Sequence, residues 1–331
     1  MYNRQNKTNS LIEAGLIVSL MIVLIMANLY LPILAIFISF LLPIPITVLY
    51  LRQDYKITLW AIIVTGVITS MIQDPITAVT TTISFGTMGF LLGYCIEKQK
   101  SIFITIVILA FGFLLSRIIQ ISIYFMFIDN RGIVKIMNES KKIMQQSIEF
   151  YSNIGIPKEQ IQQMEQTLAY FKPDLILKML PSILIMSSFL SAVLNYFVSK
   201  KVLMKLGYKN IKPLPHISKI HVNVRLVTIV AIGLLIGAIL KRKGIELGDY
   251  FFITSDNLIK ILFLINGIST AIYYMRNKFK ISKGILIFIL LMTSSPIFSL
   301  IYIYLGLIDI MFDFRKLDSF RGYNDNKSGE L

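Results

Sequence analysis

The stretch AFGFLLSRIIQISIYFMF, residues 110–127, is apolar enough to lie across a bilayer, yet it holds Arg117 in its middle and Gln120 one turn further on. The residues around it repeat the apolar pattern along most of the chain. Of the 331 residues 55% are hydrophobic and only 15% are charged, with a mean hydropathy of +0.71. A soluble domain of ordinary surface does not have that balance, so the chain reads as an all-α polytopic transmembrane helical bundle. Its first apolar stretch, 11–27, is too long for a signal-peptide core and runs at once into more apolar sequence, which makes it a retained first span. One cysteine, Cys95, precludes an intrachain disulfide, and two histidines, His216 and His221, give a metal or haem almost no ligands. No cofactor is expected.

A span needs roughly 20 apolar residues. On that rule spans fall near 11–28, 31–51, 56–73, 76–96, 101–128, 174–198, 225–240 and 250–275. The last apolar run, 284–312, is too long for one ordinary span and is broken by SSP at Ser294–Pro296, so it reads as two short helices in a hairpin. About ten spans result, or nine if that run is single. The organisation expected is a five-span bundle over 1–128, an extracytoplasmic helical hairpin over 129–173, and a second bundle over 174–331 with a basic cytoplasmic loop at 199–225 and a cytoplasmic tail.

Lysines and arginines of short loops stay on the cytoplasmic side. Arg4, Lys7, Arg52, Lys56, Lys98 and Lys100 fall inside if the N-terminus is inside, and the basic run from Lys200 to Arg225 and the group Arg276 to Lys283 follow suit. The hairpin reading also places Arg315, Lys316 and Arg321 inside, giving two cytoplasmic termini in a bacterial cytoplasmic membrane. Only Lys241, Arg242 and Lys243 dissent. The net charge of +15 is thus largely the positive-inside signature, with anionic lipid headgroups as natural partners. Nucleic acid would need a folded basic domain, which no segment is long enough to supply. His216 and His221 are expected to be solvated loop residues.

The polar insert repeats apolar residues at helical spacing, with Ile133, Met137, Met144, Ile148 and Tyr151 before Gly155, and Ile161, Met164, Leu168 and Phe171 after Pro157. Two amphipathic helices follow, able to close on each other, lie on the outer headgroups or cover the mouth of the bundle.

SAVLNYFVSKKVLMKLGY at 191–208, PLP at 213–215, NLIKILFLINGISTAIYY at 257–274 and LGLIDIMFDFRKL at 305–317 resemble the YybS-like family of uncharacterised bacterial integral membrane proteins. The likeness covers nearly the whole chain. The N-terminal part is similar to the substrate-binding membrane components of energy-coupling-factor transporters, which implies small-molecule transport by analogy. Where those components carry glycine-rich turns, this chain has LRQDYKITLW at 51–60, so their ligand pocket does not carry over residue by residue. The resemblance also implies that a small-residue face on the first helix, here Gly15 and Ser19, docks a coupling subunit; intrachain packing is the other use of such a face. Further small-residue seams occur at Gly86, Gly89 and Gly93 and at Gly233 and Gly237.

No phosphate loop, HExxH or GxSxG motif occurs, so ATP-driven transport would need separate ATPase subunits, and no acid-base or nucleophile set points to an enzyme. At about 1.5 Å per residue Arg117 lies about 16 Å from the outer end of its helix. Lys178, Asp256, Asn257 and Lys260 fall at related depths, so these residues with Gln120 are candidates for a polar ligand site between spans 5, 6 and 8. The competing reading is a buried structural network in which Arg117 pairs with Asp256 or Asp74. Asp256 and Lys260, at i and i+4, are also placed to satisfy each other. A second group, Asn195, Asn266, Asp309, Asp313 and Arg315, lies nearer the cytoplasm and reads as a structural clamp. A small-molecule transporter or its ligand-binding subunit stands first, with a non-transporting scaffold or assembly partner as the alternative.

Overall fold

The computed structural model describes residues 2–127, 132–170, 173–293 and 295–317. Among these there are helices and no strands: α1 (Tyr2–Tyr30), α2 (Pro32–Leu41), α3 (Pro43–Arg52), α4 (Tyr55–Ser70), α5 (Pro75–Glu97), α6 (Ile102–Phe127), α7 (Gly132–Asn153), α8 (Lys158–Tyr170), α9 (Pro173–Lys205), α10 (Val224–Arg242), α11 (Leu247–Asn277), α12 (Lys283–Met292) and α13 (Pro296–Phe312), with a 3-10 turn η1 at Ile217–Lys219. Among the described residues, seven helical runs have the length and apolarity to cross a bilayer: Thr8–Tyr30, Pro32–Arg52, Pro75–Glu97, Ile102–Phe127, Asp174–Lys205, Val224–Arg242 and Leu247–Asn277. The expected span at 56–73 is the shorter α4, and the run at 284–312 is divided into α12 and α13. The positions of Ile128, Phe171, Ser294 and Arg321, and the tail from 318 onward expected to be cytoplasmic, lie outside the described residues.

Proline explains several boundaries. Pro43 and Pro45 lack the N–H that would continue the ladder, so the second span divides at Leu42, whose own N–H still reaches the Ile38 carbonyl at 3.0 Å. Pro75 begins α5, with the Asp74 carboxylate accepting from the Thr77 N–H at 2.9 Å as its cap. The basic run expected as a loop from 199 onward is helical up to Lys205, so Lys200, Lys201 and Lys205 ride on α9.

The chain divides into two compact units: 1–173 with 183–214, and 174–182 with 215–331. Residues 183–214, assigned from sequence to the second bundle, therefore cluster with the first unit, and the chain passes between units within α9, next to Pro181.

In the first unit α5 packs against α3, α4 and α6. Lipid tails give helices no hydrophobic reason to associate, so close van der Waals approach must do so, and small residues permit it. A Cβ on Gly89 would strike the Pro43 carbonyl and Ile46, one on Gly93 would strike Tyr50, and one on Gly86 would strike Ile62. The Thr47 hydroxyl crosses the same seam to the Gly89 carbonyl at 3.0 Å. Hence every residue of α3 from Pro43 to Tyr50 is buried. Met88, Leu92 and Leu109 continue this core with Ala192, Tyr196 and Leu203 of α9. At one end Arg52 bonds Glu13 of α1 at 2.8 Å and the Tyr208 hydroxyl at 3.1 Å. The insert forms the expected hairpin: α7 packs on α8, Met137 and Leu168 are buried, and Gly155 takes the left-handed turn at φ 85°.

The second unit is built on α11, which packs against α10 and α13. Gly237 lies against the backbone of Phe252, and Gly267 and Gly306 bring α11 and α13 into backbone contact.

Candidate functional site

In the first unit, a cavity of about 320 Å³ lies between α2, α3, α5, α6 and the α9 segment that belongs to that unit. Arg117 and Gln120 enter it from α6, Thr80, Thr81 and Ser84 from α5, Ser39 from α2, and Ser191 and Asn195 from α9. Phe40, Phe85, Phe113 and Pro43 supply its apolar surface. Helical geometry makes the cluster: 117 and 120 share a face of α6, and 80, 81 and 84 share a face of α5.

The Arg117 guanidinium donates through Nη1 to Gln120 Oε1 at 3.3 Å. Gln120 is itself held, its Nε2 donating to the Thr80 carbonyl at 3.3 Å and to Ser84 Oγ. The cation is thereby oriented by an amide anchored on a neighbouring helix. Among the described residues no carboxylate pairs with Arg117. Asp74, one of the two partners considered from sequence, is engaged in capping α5 through Thr77.

The other candidates lie in the second unit and have partners there. Lys178 bonds Asp174 and Asp249, each at 2.9 Å, and Asp249 also holds Lys241 at 3.2 Å. This gives Lys241, one of the three dissenting basic residues, a local counter-charge. Lys260 pairs with Asp256 at 2.6 Å, as the i, i+4 spacing anticipates, and Asn257 donates to Ser182 at 3.1 Å. The structure thus brings Arg117 and Gln120 to one cavity and gives Lys178, Asp256, Asn257 and Lys260 separate partners within their own unit.

The second candidate group also divides. Asn266, Asp309 and Arg315 meet in the second unit, whereas Asn195 lines the cavity of the first, where its Oδ1 accepts from Ser199 at 3.4 Å. The Arg315 side chain is fully buried. It donates to Asp309 Oδ2 through Nε at 3.1 Å and Nη2 at 2.8 Å, to Asn266 Oδ1 at 2.9 Å, to Ser269 Oγ at 2.6 Å and to the carbonyls of Ser218 and Ile220 at 3.2 and 3.1 Å. Asn266 in turn donates to Asp309 at 2.9 Å and accepts from the Val222 N–H at 3.1 Å. This clamp fixes the backbone of 218–222 on α11. Asp313 takes the left-handed conformation that ends α13, and its Oδ1 accepts from the Leu317 N–H at 2.9 Å.

His216 is an exposed loop residue as expected, whereas His221 corrects the sequence expectation. His221 is largely covered, with its ring nitrogens shielded and Nδ1 3.8 Å from Asp309 Oδ2, and neither ring nitrogen has a hydrogen-bond partner among the described residues. His216 meets Ser218 Oγ through Nδ1 at 2.8 Å and Arg276 through Nε2 at 2.6 Å. Both follow from the folding of η1 back onto α11, a nonlocal event. The cavity's hydroxyls were also missed. The run VTTTISFG at 79–86, unusually rich in hydroxyls for a span, was the available signal.

The three small-residue seams have different uses. Those of α5 and α10 are intrachain contacts, but a Cβ at Gly15 would meet nothing within 4 Å, and Ser19 is exposed with its hydroxyl turned to the Gly15 carbonyl at 2.9 Å. Among the described residues no cluster of three or more metal-ligating side chains occurs.

Residues 19–310 match the model of a family described as Predicted membrane protein (DUF2232). No curated protein and no solved structure matches the chain.

Proposed function

The chain belongs to the DUF2232 family of predicted membrane proteins, and from that premise we propose that it is a ligand-binding membrane subunit of small-molecule transport, taking an anionic ligand at the Arg117 cavity. One observation carries the reading. Arg117 is an intramembrane cation, held by Gln120 at the edge of a polar cavity, with no carboxylate partner among the described residues. Such a group within a span is expensive to keep, and its usual return is functional. A structural ion pair would have needed an acid beside it.

The transport class draws on the likeness of the N-terminal spans to energy-coupling-factor components. In that scheme the exposed Gly15 and Ser19 face receives a coupling subunit, separate ATPases supply energy, and this chain carries rather than catalyses. In this reading the chain lies in a bacterial cytoplasmic membrane with about ten spans, both termini inside and the α7–α8 hairpin outside. The short α4 and the α12–α13 pair supply the spans beyond the seven long ones.

Thermal-shift screening of the purified protein against small anions tests the proposal, because a ligand that binds only the folded state raises its stability, by about 2.7 kcal/mol at a hundred times its Kd. Arg117→Gln is expected to retain the unliganded melting temperature and lose the ligand-induced rise. A ligand response that survives Arg117→Gln refutes the site.

A further inference from the structure

We infer that the ligand of the Arg117 cavity is a singly charged carboxylate with an apolar or aromatic body, an inference that rests on reading that cavity as the binding site. The charge on the lining decides the head group. Of the described residues around the cavity only Arg117 has a charged side chain, and the remainder are hydroxyls, two amides, three phenylalanines and a proline. A planar guanidinium fork matches a carboxylate bidentately, and Arg117 commits one N–H to Gln120 out of the five it carries. A second negative charge on the ligand would meet no second cation there. An ammonium group would meet no acid and would stand beside the guanidinium. Each of those charges would give up hydration on entering the cavity without gaining a counter-charge, which is unfavourable. Dianions, zwitterionic amino acids and cations are therefore selected against by the lining itself.

The walls decide the body. Phe40, Phe85 and Phe113 offer aromatic surface, while Ser191 and Asn195 offer neutral polar groups on α9. A volume of about 320 Å³ is at the small end of ligand pockets, which run from about 300 to 1,000 Å³. That suits a compact ring-bearing acid better than a polyphosphate or a two-chain lipid. A carboxylate head is shared by soluble acids and by fatty acids, and the test below separates the two sources.

Three compounds built on one 4-hydroxyphenylethyl frame make the experiment, 3-(4-hydroxyphenyl)propionate with a carboxylate, tyrosine with a carboxylate and an ammonium group and tyramine with an ammonium group alone, with terephthalate as a dianion and palmitate as a lipid acid. Binding to the full chain in detergent is measured by calorimetry, with wild type, Arg117→Gln and Arg117→Lys, each checked for an unchanged size-exclusion profile. The propionate is expected to bind saturably, with tyrosine and terephthalate roughly tenfold or more weaker and tyramine silent, because each places an unpaired charge in the site. Arg117→Gln should abolish binding, and Arg117→Lys, which keeps the charge but loses the fork, should weaken it. Palmitate outcompeting the propionate through Arg117 would support the carboxylate head and assign it to a lipid acid. Arg117-dependent binding that favours tyrosine or terephthalate overturns the ligand class while leaving the site standing. Binding of any probe that ignores Arg117, or no binding by any of the five, overturns the site and the class together.

Discussion

Replacing Arg315 with methionine isolates what the buried clamp contributes. The arginine side chain is inaccessible to solvent, as is that of Asp309, and its donors reach a carboxylate, an amide, a hydroxyl and two main-chain carbonyls. Methionine nearly preserves length and apolar volume but removes every donor. Asp309 Oδ2 then keeps the Asn266 amide at 2.9 Å and the more distant His221 Nδ1 at 3.8 Å, and the Ser218 and Ile220 carbonyls lose the Nη1 donor. Breaking a buried pair from one side in this way typically destabilises by about 3–5 kcal/mol. At about 2–4 °C per kcal/mol for domains of 150–250 residues, the apparent melting temperature should fall by roughly 6–20 °C. The assay is thermal unfolding in one detergent of wild type, Arg315→Met, Asp309→Leu and the double variant. The double variant should be less destabilised than the sum of the singles, since no buried charge is left without its partner. A loss below about 1 kcal/mol for Arg315→Met, or strictly additive losses, would refute the clamp as a coupled unit.

Three shorter predictions follow from the same packing. Gly267→Ala should cost at or above the upper end of the usual overpacking range of about 1–3 kcal/mol, because its Cβ would collide with the Tyr302 carbonyl and neither helix backbone yields easily; a melting temperature equal to wild type would show that the α11–α13 approach is looser. Gly15→Leu should leave stability within about 0.5 kcal/mol, since the position is open, while abolishing co-purification of a coupling subunit; loss of folding would instead make this face an intrachain seam. Ser147 is exposed on α7 and the single cysteine, Cys95, is buried, so Ser147→Cys in a Cys95→Ala background should react with an impermeant thiol reagent from outside the cell, and reaction only after permeabilisation would invert the orientation.

Apolar run length and the placement of lysine and arginine were enough to read a multi-pass helical protein, because in a bilayer every backbone polar group must be satisfied within its own segment. Local signals also located the break before Pro296, the hairpin turn at Gly155 and the Asp256–Lys260 pair, all of which depend on residues close in the chain. Depth along a helix could likewise be counted, and it grouped Arg117 with Gln120 correctly because they are one turn apart. Depth says nothing of which side a residue faces or which helix it meets. That is why Lys178 proved to be occupied by Asp249, Asn195 to line the Arg117 cavity, and His221 to lie beside Asp309. The same limit applied to glycine: the seams at Gly89 and Gly237 and the open face at Gly15 look alike in sequence. A small side chain allows close approach without specifying the partner, and only the tertiary packing of residues distant in the chain decides whether another helix is there.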